Sequence, residues 1–236
     1  MELKVYWSNS RPNFGDILTP YVLDYFGLKY TMVSESQKAN AMCIGSIIHR
    51  ATDNMIVLGS GLMHTKHILN PRADYRFVRG PHTRNRILEL GGKCPEIYGD
   101  SALLLPYFCK ESAKEHDIGL VPHYVDYEVI KEKYPTYNII NVNNPDPLHV
   151  AKEISKCRQI VSTSLHGVIA AHAYDIPAAW LRFSNKLKGN DIKFKDYFAS
   201  VGVEYTVIDK LEDVKFSTIK NINLELIKER FVELND

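Results

Sequence analysis

Three things are scarce in this sequence: net charge, cysteine and long apolar runs. The 29 Lys and Arg stand against 28 Asp and Glu, a formal charge of +1. Binding duplex DNA or RNA draws on a basic surplus that neutralises many phosphates, so nucleic acid is not expected as a partner. A few cations aimed at one small anion are compatible with the balance. The four cysteines, Cys43, Cys94, Cys109 and Cys157, are scattered with no C-x-x-C pair. That spacing suits neither a disulfide framework nor a zinc site, and each is expected to act as a small buried hydrophobe. The most apolar stretch, Leu165 to Leu181, is interrupted by His166, His172, Asp175 and Pro177, so no membrane span is expected. Met1-Glu2-Leu3-Lys4 runs straight into a strand pattern with no apolar leader, which points to the cytoplasm. A G-x-G-x-x-G fingerprint is missing as well, and no cofactor or metal is expected.

What is present is a globular composition: 45% apolar and 24% charged residues over 236 positions, enough for a real core. The order of elements reads strand, turn, helix, repeated. Leu3–Trp7 is a first strand, followed by a helix from about Gly15-Asp16 whose Leu18, Val22 and Phe26 recur every four residues, with Gly27 as its stop. Met42–Ile44, Met55–Leu58 and Tyr75–Val78 are short apolar runs of the kind found in strands covered on both faces. A helix from Pro81 to Leu90 follows. A second series comprises strands Asp117–Val121, Tyr137–Val142, Gln159–Ser162 and Ala178–Leu181 with helices at Tyr127–Lys133, Pro147–Cys157 and Gly167–Tyr174. Pro106–His116 reads as a linker, and Ile219–Leu234 as an amphipathic last helix able to pack back on either half. Alternation of this kind implies mostly parallel sheets with right-handed crossovers. The expected fold is therefore α/β: two Rossmann-like doubly wound domains, residues 1–109 and 110–236, facing across a cleft. One continuous sheet is the alternative.

Ligands in such sheets bind beyond the carboxyl ends of the strands, and the turns there carry the candidate chemistry. Asn13-Phe14-Gly15-Asp16 joins the first strand to its helix; Gly15 permits close approach of backbone, and Asp16 is either a helix cap or a ligand contact. Ser60 and Gly61 follow another strand end. His64 and His67 are three apart, with no third ligand at matched spacing. Arg79 stands where a buried strand meets a helix, a site for a carboxylate or phosphate, and Arg84 adds charge one turn on. Ser162-Thr163-Ser164-Leu165-His166-Gly167 leads into the apolar run Val168–Ala171, which must be buried, so the N-terminus of that helix points inward. Its hydroxyls can cap it, Gly167 lets backbone N–H groups face a ligand, and His166, beside a bound anion, becomes a group placed for proton transfer. His172, mid-helix among alanines, reads as structural. His123, ending the second series' first strand, reaches toward the cleft.

These turns, taken in order, resemble the polysaccharide pyruvyl transferase family. The resemblance rests on Asn13-Phe14-Gly15-Asp16, Arg79-Gly80-Pro81 with Arg84, Gly99-Asp100-Ser101 through Pro106, Val121-Pro122-His123-Tyr124, and Ser164-Leu165-His166-Gly167 leading to Ile176-Pro177. It covers roughly positions 3 to 182 of a chain that is short for the family. It implies the two-domain architecture of one large class of glycosyltransferases (GT-B-like). It also implies transfer of a pyruvyl group from phosphoenolpyruvate to two hydroxyls of a sugar, giving a cyclic ketal in polysaccharide biosynthesis. His166 and Arg79 match the family's donor-linked residues; Asp16 or His123 is the expected base or acceptor contact. Asn13, Gly15, Ser60, Gly61, Arg84, Ser164, Leu165 and Gly167 complete the expected substrate contacts. The acceptor would be a sugar, nucleotide-sugar or lipid-linked saccharide. Peripheral contact with the inner face of the membrane through Lys186, Lys188, Lys193 and Lys195 is one reading of that basic segment, a solvated loop the other. Two rivals stand beside the resemblance: a glycosyltransferase of the same architecture using a sugar nucleotide, and a sugar-phosphate binding protein without turnover.

Overall fold

The computed structural model describes residues 2–9, 12–184, 190–220 and 222–235. It holds two all-parallel sheets. The first has the order β2-β1-β3-β4-β5, from β1 (Leu3–Tyr6), β2 (Tyr30–Met32), β3 (Ala41–Met42), β4 (Ile56–Leu58) and β5 (Asp74–Phe77). The second has the order β7-β6-β8-β9, from β6 (His116–Val121), β7 (Asn138–Ile139), β8 (Cys157–Ser162) and β9 (Ala178–Trp180). The central strands are apolar and buried on both faces, as helices on each side of a parallel sheet require.

Local signals set most helix ends. Helix α1 (Thr19–Tyr25) follows a 3-10 turn at Asp16–Leu18 and stops at Gly27, whose φ of +66° lies in the left-handed region that closes helices. Pro81 opens α2 (Pro81–Glu89). Helices α3 (Leu105–Phe108) and α4 (Tyr127–Lys133) come next. Asp146 caps α5 (Pro147–Ser155), accepting the N–H of Leu148 at 3.0 Å and of His149 at 3.1 Å. Helix α6 (Leu165–Ala173) is buried along nearly its whole length, followed by α7 (Ile192–Ser200) and α8 (Leu224–Val232). None of these is long and apolar enough to cross a membrane.

Three expectations need correction. The chain between Gly27 and Ala41 carries a strand, β2, that its mixed Lys29-Tyr30-Thr31-Met32 composition hides. The supposed linker begins as α3, held because Leu105 and Cys109 are buried. The supposed basic loop contains α7. Lys186 and Lys188 lie outside the described residues, but Lys193 is buried rather than facing solvent or membrane, and Lys195 is half-buried. The reason is the apolar set Ile192, Phe194, Tyr197, Phe198 and Val201 interleaved with the lysines. Phe194 stacks on Trp180 of β9 at 4.2 Å, and burying that face folds the segment as a helix.

The two sheets share a core on one side, while each keeps a smaller cluster of its own on the other, around Met42 and Val57 in the first and around Leu120 and Val161 in the second. One buried cluster contains Leu3, Val5 and Phe77 of the first sheet together with Val121, Ile160 and Ala178 of the second. The 3-10 turn Ser101–Leu104 packs against α6. Helix α8 returns to the first sheet, where Phe231 stacks on Phe26 at 4.7 Å and meets Phe77 edge-on at 5.9 Å.

Candidate functional site

In the order β2-β1-β3-β4-β5 the chain leaves β1 toward one side and continues from β3 toward the other. The loops that follow β1 and β3 therefore diverge and leave a crevice beyond their carboxyl ends. The order β7-β6-β8-β9 makes the same reversal between β6 and β8. Both crevices open into one cavity of about 390 Å³. Tyr6 lines it at the end of β1, Ser8, Asn13 and Asp16 after that strand, and Ser46, His49 and Arg50 after β3. From the second sheet come His123 and Tyr124 after β6, and Ser164, Leu165 and His166 after β8. Lys193 reaches it from α7. The N–H of Phe14 donates to the carbonyl of Val142 at 3.1 Å, tying the loop after β1 to the segment beyond β7.

His166 sits in the first turn of α6 and is largely buried. Nε2 lies 3.7 Å from Oδ2 of the fully buried Asp100, and neither atom has a hydrogen-bond partner. The other carboxylate oxygen of Asp100 accepts the N–H of Ala102 at 3.0 Å, capping the 3-10 turn. Against one face of the imidazole is Gly15, where a Cβ would lie 2.0 Å from Nδ1, 2.1 Å from Cγ and 2.3 Å from Cε1; only glycine lets the turn after β1 rest on this ring. The turn into α6 departs from expectation in two ways. Ser164 makes no cap hydrogen bond with its hydroxyl; instead Ser162 Oγ accepts the Ser164 N–H at 3.0 Å. Gly167 turns toward the strands, where a Cβ would meet Ser162 Oγ at 2.4 Å, so its role is close packing of α6 rather than opening backbone to a ligand.

Two charged groups of the cavity are held away from their ordinary ranges. Burial raises Asp16 to about 6, partly opposed by the charge of His166 and by the Asn13 amide, which donates to its Oδ2. Burial lowers Lys193 to about 8, reinforced by the positive charge of Arg79 and opposed by Asp16 and Asp191. His49, with its ring 4.2 Å from that of His67, is pushed down to about 4 by burial and by neighbouring His67, Arg50 and His64. Among the described residues no group of three or more His, Cys, Asp or Glu is arranged to hold a metal ion.

Arg79 is not in the cavity wall. Its guanidinium is fully buried behind Ser46, donating to Ser46 Oγ at 2.7 Å and to the Leu62 carbonyl at 2.6 Å, with Nε 3.4 Å from Asp196 Oδ2. Ser60 donates to the carbonyl of Gly45 at 2.8 Å, Gly61 rests against the Arg79 guanidinium, and Arg84 donates to the Cys94 carbonyl at 3.1 Å, so none of these three lines the cavity. His172 bonds to the Tyr197 hydroxyl and the Ser217 carbonyl, both at 3.0 Å, and burial lowers it to about 4.

Thus Asn13, Asp16, His123, Ser164, Leu165 and His166 converge as the turns suggest, with Gly15 against the histidine. Sequence reasoning did not single out Lys193, Arg50, Ser46 or Asp100 as site residues. The Gly-Asp-Ser turn before an apolar run marks Asp100 as a cap, but nothing local marks a histidine 66 positions later as its neighbour.

The sequence profile of the polysaccharide pyruvyl transferase family matches residues 49–185. Uncharacterized protein L143 of Acanthamoeba polyphaga mimivirus is 33% identical over 193 residues, 78% of this chain and 66% of that protein. Succinoglycan biosynthesis protein ExoV of Rhizobium meliloti (strain 1021) is 28% identical over 216 residues, 85% of this chain and 65% of that protein. The chain thus spans just under two thirds of the length of these relatives. No solved structure gives a significant match.

Proposed function

The chain belongs to the polysaccharide pyruvyl transferase family, and on that premise we propose that it moves a pyruvyl group from phosphoenolpyruvate to two hydroxyls of a sugar, forming a cyclic ketal in polysaccharide biosynthesis. The observation that carries this reading is the meeting of His166, Asp16 and Lys193 at one cavity shared by the carboxyl ends of both sheets. We read the sheets as two Rossmann-like domains, residues 1–109 and 110–236, in a GT-B-like pairing.

Phosphoenolpyruvate brings a carboxylate and a phosphate. The Lys193 ammonium, the Arg50 guanidinium and the uncapped N-terminus of α6 supply the cationic contacts. His166 delivers a proton to the methylene carbon, which leaves C2 electrophilic. A sugar hydroxyl adds to C2 and gives up its proton to Asp16; burial places Asp16 nearer neutrality than an ordinary carboxylate, which suits a general base. The C2–O bond to phosphate breaks and phosphate leaves, and the second hydroxyl adds to C2 and returns its proton to the deprotonated His166, closing the ring. Arg79 serves this site from behind, fixing Ser46 and, through Asp196, the helix that carries Lys193. The acceptor is a sugar, nucleotide-sugar or lipid-linked saccharide, contacted by residues 46–50 and by His123.

The test is release of inorganic phosphate from phosphoenolpyruvate in the presence of galactosides, mannosides and lipid-linked sugars, with His166→Ala alongside. Release with one acceptor class, lost in His166→Ala, is the expected result; wild-type kcat/KM in that variant overturns the role of His166. In a thermal-shift series, phosphoenolpyruvate raises Tm because it binds the folded state alone. A rise with nucleotide sugars and none with phosphoenolpyruvate would instead assign a glycosyltransferase.

A further inference from the structure

We propose that Asp100 is the positioning residue of the site: it holds His166 in the tautomer protonated on Nε2, leaving Nδ1 as the nitrogen that exchanges protons at the cavity. The proposal rests on the pyruvyl transfer reading for its kinetic consequence, but its structural content concerns this chain's own two side chains.

The argument begins with two orphaned atoms. Oδ2 of Asp100 and Nε2 of His166 are both buried, both lack a hydrogen-bond partner, and face each other at 3.7 Å. A buried polar atom left unpaired is costly, and more so when charged, so two such atoms 3.7 Å apart are relieved together by about 0.7 Å of ring movement, which brings them to hydrogen-bonding distance. Hydrogen bonds of this kind are often long in an empty site and tighten when substrate binds. A carboxylate only accepts, so the bond requires the proton on Nε2.

One backbone contact sets the orientation of Asp100. Its Oδ1 is engaged by the N–H of Ala102 at 3.0 Å, which fixes the carboxylate plane and aims Oδ2 at the imidazole. Gly15 lies against one face of the ring, over Nδ1, Cγ and Cε1, and His166 lines the cavity together with Asn13 and Asp16. The histidine is thus held by a carboxylate at its Nε2 edge and a backbone turn on its face. Acid–base groups are commonly built this way, with a third group fixing the tautomer of the base. Asp100 touches neither reactant in this scheme and acts wholly through His166.

The substitution that isolates the effect is Asp100→Asn. Capping of Ala102 needs an oxygen at the Oδ1 position, so the new amide nitrogen falls opposite Nε2. A donor then replaces an acceptor, and the tautomer inverts with little change in shape. The decisive measurement is the imidazole ¹⁵N spectrum of the protein with labelled histidine, recorded at a pH where His166 is neutral and assigned through His166→Gln. The expected wild-type spectrum shows Nε2 protonated and Nδ1 bare; the Asp100→Asn spectrum shows the reverse. A wild-type protein protonated on Nδ1, or a tautomer unchanged by the substitution, overturns the proposal whether or not any activity is found. Because the wild-type spectrum alone can refute it, the proposal does not depend on the variant folding. In the phosphate-release assay, kcat is expected to fall by about 10²-fold or more in Asp100→Asn with KM for phosphoenolpyruvate changed less than about threefold, because an imidazole that donates from Nδ1 carries a proton on Nε2 as well, and the Asn amide N–H offers that proton no acceptor. A kcat within threefold of wild type, with the tautomer inverted, overturns the catalytic part. Absence of phosphate release in the wild type, with the expected tautomer, counts against the function and leaves the clamp standing.

Discussion

Asp16 and Lys193 bring two opposed charge shifts of the cavity to the residue scale. Both are buried, and burial disfavours the charged form of each, which raises the acid and lowers the base until the two stand at about 6 and about 8. If Asp16 must be ionised to take a proton and Lys193 charged to hold an anion, activity rises as pH climbs through about 6 and falls as it passes about 8. The expected kcat/KM profile for phosphate release is a bell with limbs near those values, and Asp16→Asn removes the acid limb along with most of the activity. An acid limb that survives in Asp16→Asn would assign it to another group. The stability effect has the opposite sense. Because the folded pKa of Asp16 is raised from 3.8, its contribution to stability is whole below about pH 4 and is lost as pH rises through about 6.

Helix α7 decides at the element scale which cation the cavity receives. Its hold on the first half is Asp196, which accepts from the Thr83 N–H of α2 at 2.9 Å and the Thr83 hydroxyl at 2.6 Å while pairing with Arg79 in the turn before that helix. Breaking one side of a buried ion pair costs roughly 3–5 kcal/mol, because the remaining charge stays buried without its partner. Asp196→Ala is therefore expected to lower the free energy of unfolding by that amount in a denaturant titration, and to weaken phosphoenolpyruvate in the thermal-shift series because Lys193 is no longer held. A loss under 1 kcal/mol would mean that α7 is held by its aromatic packing alone. The same helix shows why part of the site was illegible. Ile192-Lys193-Phe194-Lys195 alternates apolar and basic residues and reads as an exposed basic stretch; its helical form and the burial of Lys193 come from Trp180 and from Asp196's partners, distant in sequence. By contrast Asn13, Asp16, Ser164 and His166 were legible because each lies in a turn ending a strand, and the strand pattern alone says where such turns point.

Across the whole molecule, two parallel sheets share one buried cluster, and α8 packs on Phe26 at the end of α1 and on Phe77 of the first sheet. A shared core couples the halves, so unfolding is expected as a single transition. The two tryptophans provide the measurement, since Trp7 follows β1 and Trp180 ends β9. In Trp7→Phe and Trp180→Phe variants the remaining tryptophan reports each half separately. Fluorescence midpoints that coincide in both, and that fall together on Phe231→Ala as the free energy of unfolding drops by about 3–5 kcal/mol, are expected; two separate midpoints would show independently folding domains.

The sequence by itself determined the class of the fold and the order of its elements. Short buried apolar runs alternating with helices leave a parallel sheet as the arrangement that satisfies both the backbone and the apolar faces. It also marked the turns that hold His166 and Asp16, because ligand-bearing turns follow strand ends. Only the tertiary structure decided which of those turns meet, that Arg79 lies behind the wall while Lys193 lines it, and that Asp100 stands at the back of His166. Those outcomes depend on close packing between segments far apart in the chain, and local sequence carries no record of which buried charge will lie beside which.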